Sequence, residues 1–397
     1  MKNKYFKTAL SIYINYIIVG VSVMIFSLNM DFLCSQWGTD KVGFGLVTSG
    51  IGIGKFVVVL FAGAISDKIG RKPNILAGMV FFIISLAGVI LSPNVTIAMI
   101  FAIVAGMANA ITDTGSMPAL MEAYPQSPGT ATLIIKVWIA VAQFALPILV
   151  SFIIVNKLYY GISFYILIGI LALNLLFMLK VKFPPMATKD SIGNNNGTVE
   201  FKEPAKPMIE GVALTLYGYT CISGLQIMSL WTAKIGEEVS GMSASSATTL
   251  ISYFSIGTIV AVFITAFLVK SIIRPTAILF IHPIISVIMS AIWYISPTPL
   301  VSAIASFVMG YTIAGGIYQL AITSLSSFFP GNGGKATGII TAMNSIALWT
   351  VPLYTGVMAE NNVKSIILCL GIISSVSIVL GFITMVRDRK VFGTASN

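Results

Sequence analysis

Four charged residues stand inside long apolar runs: Asp31, Lys55, Asp113 and Lys136. An ionised side chain at the centre of such a run costs about 2.5–3.5 kcal/mol when unpaired. Two acids and two bases sum to zero, so pairing around a watery cavity is expected. A carboxylate against an apolar wall gains proton affinity by desolvation and loses it beside an ammonium. Poised between the two, it can load a proton on one face and release it on the other. A lysine freed when its acid is protonated can take up a carboxylate from solution. Asp31 and Asp113 are therefore the candidate proton-binding groups, and Lys55 and Lys136 the candidate anion-binding groups. Ion pairs that merely orient helices would use the same residues.

Their neighbours are suited to a small polyol or carboxylate. Asn109 and Asp113 lie i, i+4 on one helical face. Lys136 and Gln143 are two turns apart, with Trp138 nearby. Further along come Tyr217 and Gln226, then Tyr311, Tyr318 and Gln319 on one side, then Thr341 and Asn344. Any one of these could instead be a helix–helix hydrogen bond. The single histidine, His282, reads as structural. The sequence contains no metal-ligand cluster, nucleophile triad or phosphate loop, so neither an enzyme nor a cofactor is expected.

The elements that position these residues follow from composition. Hydrophobic residues make up 57% of the chain and charged residues 9%. No soluble core could use so much apolar surface, so the solvent is lipid. Runs of roughly 20 apolar residues fall at 8–33, 43–66, 75–93, 95–118, 131–155, 161–180, 209–231, 246–269, 276–295, 299–323, 337–359 and 364–386. In hydrocarbon every amide needs an internal partner, so each is a helix. The expected fold class is an all-α membrane protein of twelve transmembrane helices. The first run is too long for a signal-peptide core and lacks a small-residue cleavage pattern.

A net charge of +10 could indicate a nucleic-acid partner, but its distribution argues otherwise. With the N-terminus in the cytoplasm, seventeen of the 23 Lys and Arg fall on cytoplasmic segments; Lys41, Lys157, Lys234 and Lys364 fall outside, and two lie inside spans. That is the positive-inside bias of a cell-membrane protein with both termini cytoplasmic. Cys221 and Cys369 lie in spans and Cys34 at the edge of one, which implies no disulfide framework.

Residues 181–208 are rich in Pro, Asn, Gly and charge and read as a cytoplasmic linker between residues 1–180 and 209–397, each with six spans. The halves resemble each other. Gly54-Lys55 and Arg71 to Leu76 align with Gly257-Thr258 and Arg274 to Leu279 at an offset of 203. Ala131 to Ile135 align with Ala336 to Ile340 at an offset of 205. Two similar offsets in different helices indicate a duplicated six-helix unit, hence two pseudo-symmetric bundles. The repeat replaces Lys55 by Thr258, Lys136 by Thr341 and Asp113 by Tyr318. Charge in one half becomes hydroxyl in the other, so the scaffold alone does not require the ions.

Between the second and third spans runs Gly63-Ala-Ile-Ser-Asp67-Lys-Ile-Gly70-Arg71-Lys72-Pro73. Its glycines permit a tight turn and close helix ends, its Asp can bond orphan amides, and its basic pair stays cytoplasmic. This string resembles the GxxxDxxGRKP signature of the major facilitator superfamily of transporters. The resemblance implies substrate held near the midplane between the bundles, with Gly63, Asp67, Gly70 and Arg71 as gating residues. Proton–drug antiporters of that superfamily carry a basic residue four positions before a glycine in span 4 and GPxxGG in span 5. Here those places hold Ala102 and Ala145-Leu-Pro147-Ile-Leu149. Asn29-Met30-Asp31-Phe-Leu33 and Asp113-Thr-Gly-Ser-Met-Pro118 are similar to segments of the fucose-permease-type proton symporters, in which the two acidic positions carry the proton and contact substrate. The expectation is a monomeric, proton-coupled symporter of a small polar solute, a carboxylate-bearing metabolite or a sugar. The alternative is a proton-driven drug or metabolite efflux antiporter. The two lysines have no counterpart in that family, which favours the carboxylate.

Overall fold

The computed structural model describes residues 4–185, 202–271, 273–329 and 333–393, and every regular element among them is helical. Most of the linker, 186–201, lies outside the described residues. The first crossing is built of three pieces, α1 (Phe6–Val21), α2 (Met24–Leu28) and α3 (Met30–Trp37), not the continuous helix expected at 8–33. Polar side chains turn back on the backbone at its breaks: Ser22 Oγ donates to Val19 O, and Asn29 Nδ2 to Ile25 O at 2.8 Å. Such bonds compete with the helical ladder. Single helices follow: α4 (Lys41–Ile69), α5 (Arg71–Leu91), α6 (Val95–Ala123), α7 (Pro128–Val155) and α8 (Ile162–Lys180). The second half comprises α9 (Val212–Lys234), α10 (Ala244–Ser271), α11 (Pro275–Ile295), α12 (Pro299–Met309) and α13 (Ile317–Phe328), which share one crossing, then α14 (Gly333–Asn361) and α15 (Ser365–Phe392).

Among the described residues nine helical stretches are long and apolar enough to span a membrane unaided. The crossing made by α1–α3 is not among them because it is broken into short pieces, α1 being 16 residues long, and α9 and α14 are not among them either. α9 alone buries Thr220, Ser223, Gln226, Ser229 and Thr232. In the first half α4 and α5 pack on α6, and α1 on α7; in the second, α11 and α9 pack on α15, and α10 on α12.

The duplication is visible at atomic scale. A Cβ added to Gly106 would lie 1.9 Å from the Ile51 carbonyl oxygen, and one on Gly310 would lie 2.0 Å from that of Phe254. Ile51 and Phe254 stand at an offset of 203 and the two glycines at 204. A π-helical turn, Gly310–Ala314, then joins α12 to α13. A π turn takes up one extra residue relative to an α-helix. Beyond it the offset becomes 205, the one that pairs Asp113 with Tyr318 and Lys136 with Thr341.

The halves meet through α4 against α14, α7 against α10 and α2 against α9. Their described polar contacts gather at the end opposite the Gly63–Pro73 loop. Lys41 Nζ pairs with Glu238 at 2.8 Å, Lys234 Nζ with Asp31 at 2.5 Å, and Ser27 Oγ donates to Ser229 O at 2.6 Å. At the loop end, nothing lies within 4 Å of a Cβ placed on Gly63. The close approach expected there is absent from this conformation.

Candidate functional site

Gly54 and Gly106 bring α4 and α6 into backbone contact; a Cβ on Gly106 would lie 2.7 Å from the Lys55 amide nitrogen. That crossing delivers the buried Lys55 side chain onto the Asn109–Asp113 face of α6. Lys55 Nζ donates to Asn109 Oδ1 at 2.7 Å and to Asp113 Oδ2 at 3.2 Å. The second carboxylate oxygen of Asp113 accepts from the Tyr16 hydroxyl at 3.0 Å. Three elements of the first half, α1, α4 and α6, thus converge on one carboxylate. Lys55 has its charge and hydrogen-bond partners close by, which offsets the desolvation of a buried ammonium.

Lys136, half-buried on α7, is different. It lies within Coulombic reach of Asp113, Lys55 and, across the halves, Cys221 of α9, yet among the described residues it makes no hydrogen bond or ion pair. From the second half, Tyr318 of α13 stands beside Thr341 and Asn344 of α14 and lies within electrostatic range of Asp113 and Cys221. The site therefore has a charged wall and a neutral polar wall. With Lys55, Lys136 and Asp113 ionised, its formal charge is +1.

Other expected site residues are placed elsewhere. Asp31 does not lie deep in a span; its side chain is 67% exposed at the end opposite the loop, paired with Lys234. The break before α3 carries it out of the apolar run. Burial works against the Lys234 charge, but hydrogen bonds to Asp31 and Glu237 outweigh it and hold the Lys234 pKa above the usual lysine value. Tyr217 is fully buried, and its hydroxyl donates to Leu279 O at 2.8 Å, which ties α9 to α11. Gln143 donates to Gly20 O at 3.0 Å and joins α7 to α1. Gln226 is buried and Gln319 half-buried, and among the described residues neither has a side-chain hydrogen bond. His282 packs its ring 5.2 Å from that of Tyr311.

At the loop, Gly70 takes φ +98°, and Arg71 donates to Asp67 at 2.6 Å, to Ser66 Oγ at 3.0 Å and to Glu122 of α6 at 3.3 Å. Among the described residues Asp67 makes no bond to a helix-end amide; its exposed carboxylate is held by Arg71.

Sequence reasoning missed Tyr16, Glu122 and Lys234. Tyr16 stands with Tyr13 and Asn15 in an apolar run, a visible polar cluster. The Tyr16–Asp113, Glu122–Arg71 and Lys234–Asp31 pairs span 97, 51 and 203 residues, beyond any local spacing.

The Major Facilitator Superfamily model matches residues 12–352. The chain is 38% identical to the inner membrane transport protein YdiM of Escherichia coli, over 98% of this chain and 96% of that one. Its backbone is similar to that of a D-xylose–proton symporter, with a TM-score of 0.79 at 15% identity over 96% and 97% of the two chains. It is also similar to a single-residue variant of the E. coli fucose–proton symporter FucP, with a TM-score of 0.64 at 14% identity over 96% and 99%. At such identities the structures speak for the fold; the family match and the close relative carry the assignment. The chain belongs to the major facilitator superfamily, a family of multi-pass membrane transporters.

Proposed function

We propose that this transporter is a proton-coupled symporter of a small polar solute bearing a carboxylate. The observation that carries this reading is Lys136, an ammonium facing the junction of the halves with no bonded partner among the described residues. Lys55 already has Asp113 and Asn109. An ammonium is a compact charge suited to one carboxylate, whereas phosphate recognition more often uses arginine forks.

Asp113 is the group assigned to the proton. While ionised it holds Lys55 and Tyr16. Protonation releases Lys55, and a substrate carboxylate then settles between the two ammonium groups. Loss of the proton on the other side restores the Lys55–Asp113 pair and expels the substrate. Asp31, exposed and paired with Lys234 outside the cavity, is not needed for this cycle. Two similar folds belong to sugar–proton symporters, which supports the coupling; the carboxylate cargo proposed here differs from their neutral sugars.

The loop end is assigned to the cytoplasm of a cell membrane, on the distribution of Lys and Arg. The halves are joined at the outer end, and Asp113, mid-bundle, keeps a 31% exposed side chain; the conformation is read as open inward. With Cys34 replaced by Ser, a cysteine at Asn361 should react with an impermeant thiol reagent outside intact cells and one at Glu203 should not. The reverse pattern would invert the assignment.

Binding by the purified protein tests the cargo. Lys136→Gln should raise the dissociation constant of a carboxylate substrate roughly tenfold, about 1.4 kcal/mol. A neutral sugar that binds better than every carboxylate, with Lys136→Gln unchanged, would overturn the reading.

A further inference from the structure

Resting on that anion-binding reading, we infer that the substrate is a polyhydroxylated monocarboxylate, bound with its carboxylate toward the first half and its hydroxyls against Tyr318, Thr341 and Asn344 of the second. The two walls of the cavity are related by the internal repeat, so their difference is chemical and not topological. Where the first half has Asp113 and Lys136, the second has Tyr318 and Thr341, and Asn344 lies one turn beyond Thr341. Thr258, which replaces Lys55, turns its hydroxyl onto Phe254 O at 3.0 Å and Gly310 O at 3.4 Å. Thr258 is thereby withdrawn from the second wall. Three groups remain there, and they converge.

These three lie beside one another and are each half-buried. Two hydroxyls and an amide together present both donor hydrogens and acceptor lone pairs. The complement of such a surface is a group that both donates and accepts, which is a hydroxyl. A second carboxylate or a phosphate brings acceptors only, and places charge on a wall whose described span interiors hold no cation. An alkyl tail would strip water from three polar groups and return nothing. Tyr318 of the second half lies within electrostatic range of Asp113 of the first, which places the two walls near each other. A ligand that bridges them also links its binding to the relative position of the halves, which alternating access requires.

Isothermal titration of the full-length protein with gluconate, hexanoate and sorbitol tests this, followed by a panel of linear and cyclic hydroxy monocarboxylates. The best hydroxy acid should bind at least tenfold more tightly than hexanoate or sorbitol. Thr341→Val and Asn344→Ala should each weaken it about fivefold and leave hexanoate unchanged. Thr341→Ser, which keeps the hydroxyl, should retain the affinity and shows that loss in Thr341→Val is not misfolding. If hexanoate matches the best hydroxy acid, Lys136→Gln weakens both and Thr341→Val moves neither, the anion reading stands and this inference is overturned. If sorbitol matches it and Lys136→Gln changes nothing, the anion reading fails and this inference with it. Absence of binding across the whole hydroxy-acid panel also overturns it.

Discussion

Gly54 and Gly257 occupy the same place in two copies of one helix crossing. A Cβ on Gly54 would lie 2.0 Å from the Ile103 carbonyl oxygen and 3.0 Å from the Met107 amide nitrogen. A Cβ on Gly257 would meet Phe307 O at 2.0 Å and Tyr311 N at 3.0 Å. Backbone meets backbone at both, so neither crossing can absorb a methyl group by turning a side chain.

Gly54→Ala and Gly257→Ala should accordingly each destabilise the protein by about 1–3 kcal/mol or more, the usual cost of overpacking. Gly63→Ala, with open space around it in this conformation, should leave the thermal midpoint in detergent near that of the parent. The measurement is thermal unfolding by size-exclusion survival. A stable Gly54→Ala protein would mean that α4 and α6 cross less closely than described.

The loop should separate folding from transport. Asp67 is 69% exposed, and its pair with Arg71 is of the surface kind, contributing roughly 0–1 kcal/mol. Asp67→Asn should therefore barely change stability or substrate binding in detergent. Turnover should fall sharply, because Gly63 and Asp67 find their close neighbours only when this end shuts. Glu122, whose side chain is 6% exposed, should behave otherwise: Glu122→Gln weakens the charged bond that holds Arg71 to α6 and should lower stability as well. Equal turnover of Asp67→Asn and parent would show the loop to be passive.

Much of this was legible because its signals are local. Apolar run lengths, the glycine–basic turn and the near-equal offsets of the repeat specify the twelve crossings, the family and the second copy. The Asn109–Asp113 face was legible as an i, i+4 pair and the need of Lys55 for an acid as charge balance; the α4–α6 crossing that joins them came from the structure. Asp31 was misplaced for a physical reason: hydropathy runs on through Asn29, while side chains of Ser22 and Asn29 break the helix. Tyr217 and Gln143 show the other limit. A polar side chain in an apolar helix faces either a cavity or a neighbouring backbone carbonyl, and both resolve to the same letter in the sequence.

Lys234 should act as a latch on the end opposite the Gly63–Pro73 loop. It is nearly buried, bonds Asp31 of the other half and Glu237 of its own, and stands beside the Lys41–Glu238 pair. Lys234→Gln removes the charge from both bonds. Because Asp31 is mostly solvent-exposed, the effect on the balance of conformations should be modest, roughly 1 kcal/mol or about fivefold in population. Spin labels at Lys157 and Asn361, one on each half, should report a larger population of long distances in the variant. An unchanged distribution would assign closure to helix packing alone.

The charge of the site sets the last expectation. Empty and inward-facing, Lys55, Lys136 and ionised Asp113 carry +1. Loaded, the two ammonium groups, a neutral Asp113 and a monocarboxylate again carry +1. The carrier thus crosses with the same charge in both directions, and a proton moves with an anion. Uptake into vesicles should follow a pH gradient and ignore an imposed potential, although each uncompensated charge would be worth about 2.3 kcal/mol per 100 mV. In Asp113→Asn the residue mimics its protonated form at all times. Exchange of internal for external substrate should continue, since it needs no proton release, while accumulation against a gradient should vanish. Accumulation that tracks voltage at zero pH gradient would break the charge count, and accumulation by Asp113→Asn would remove Asp113 as the coupling group.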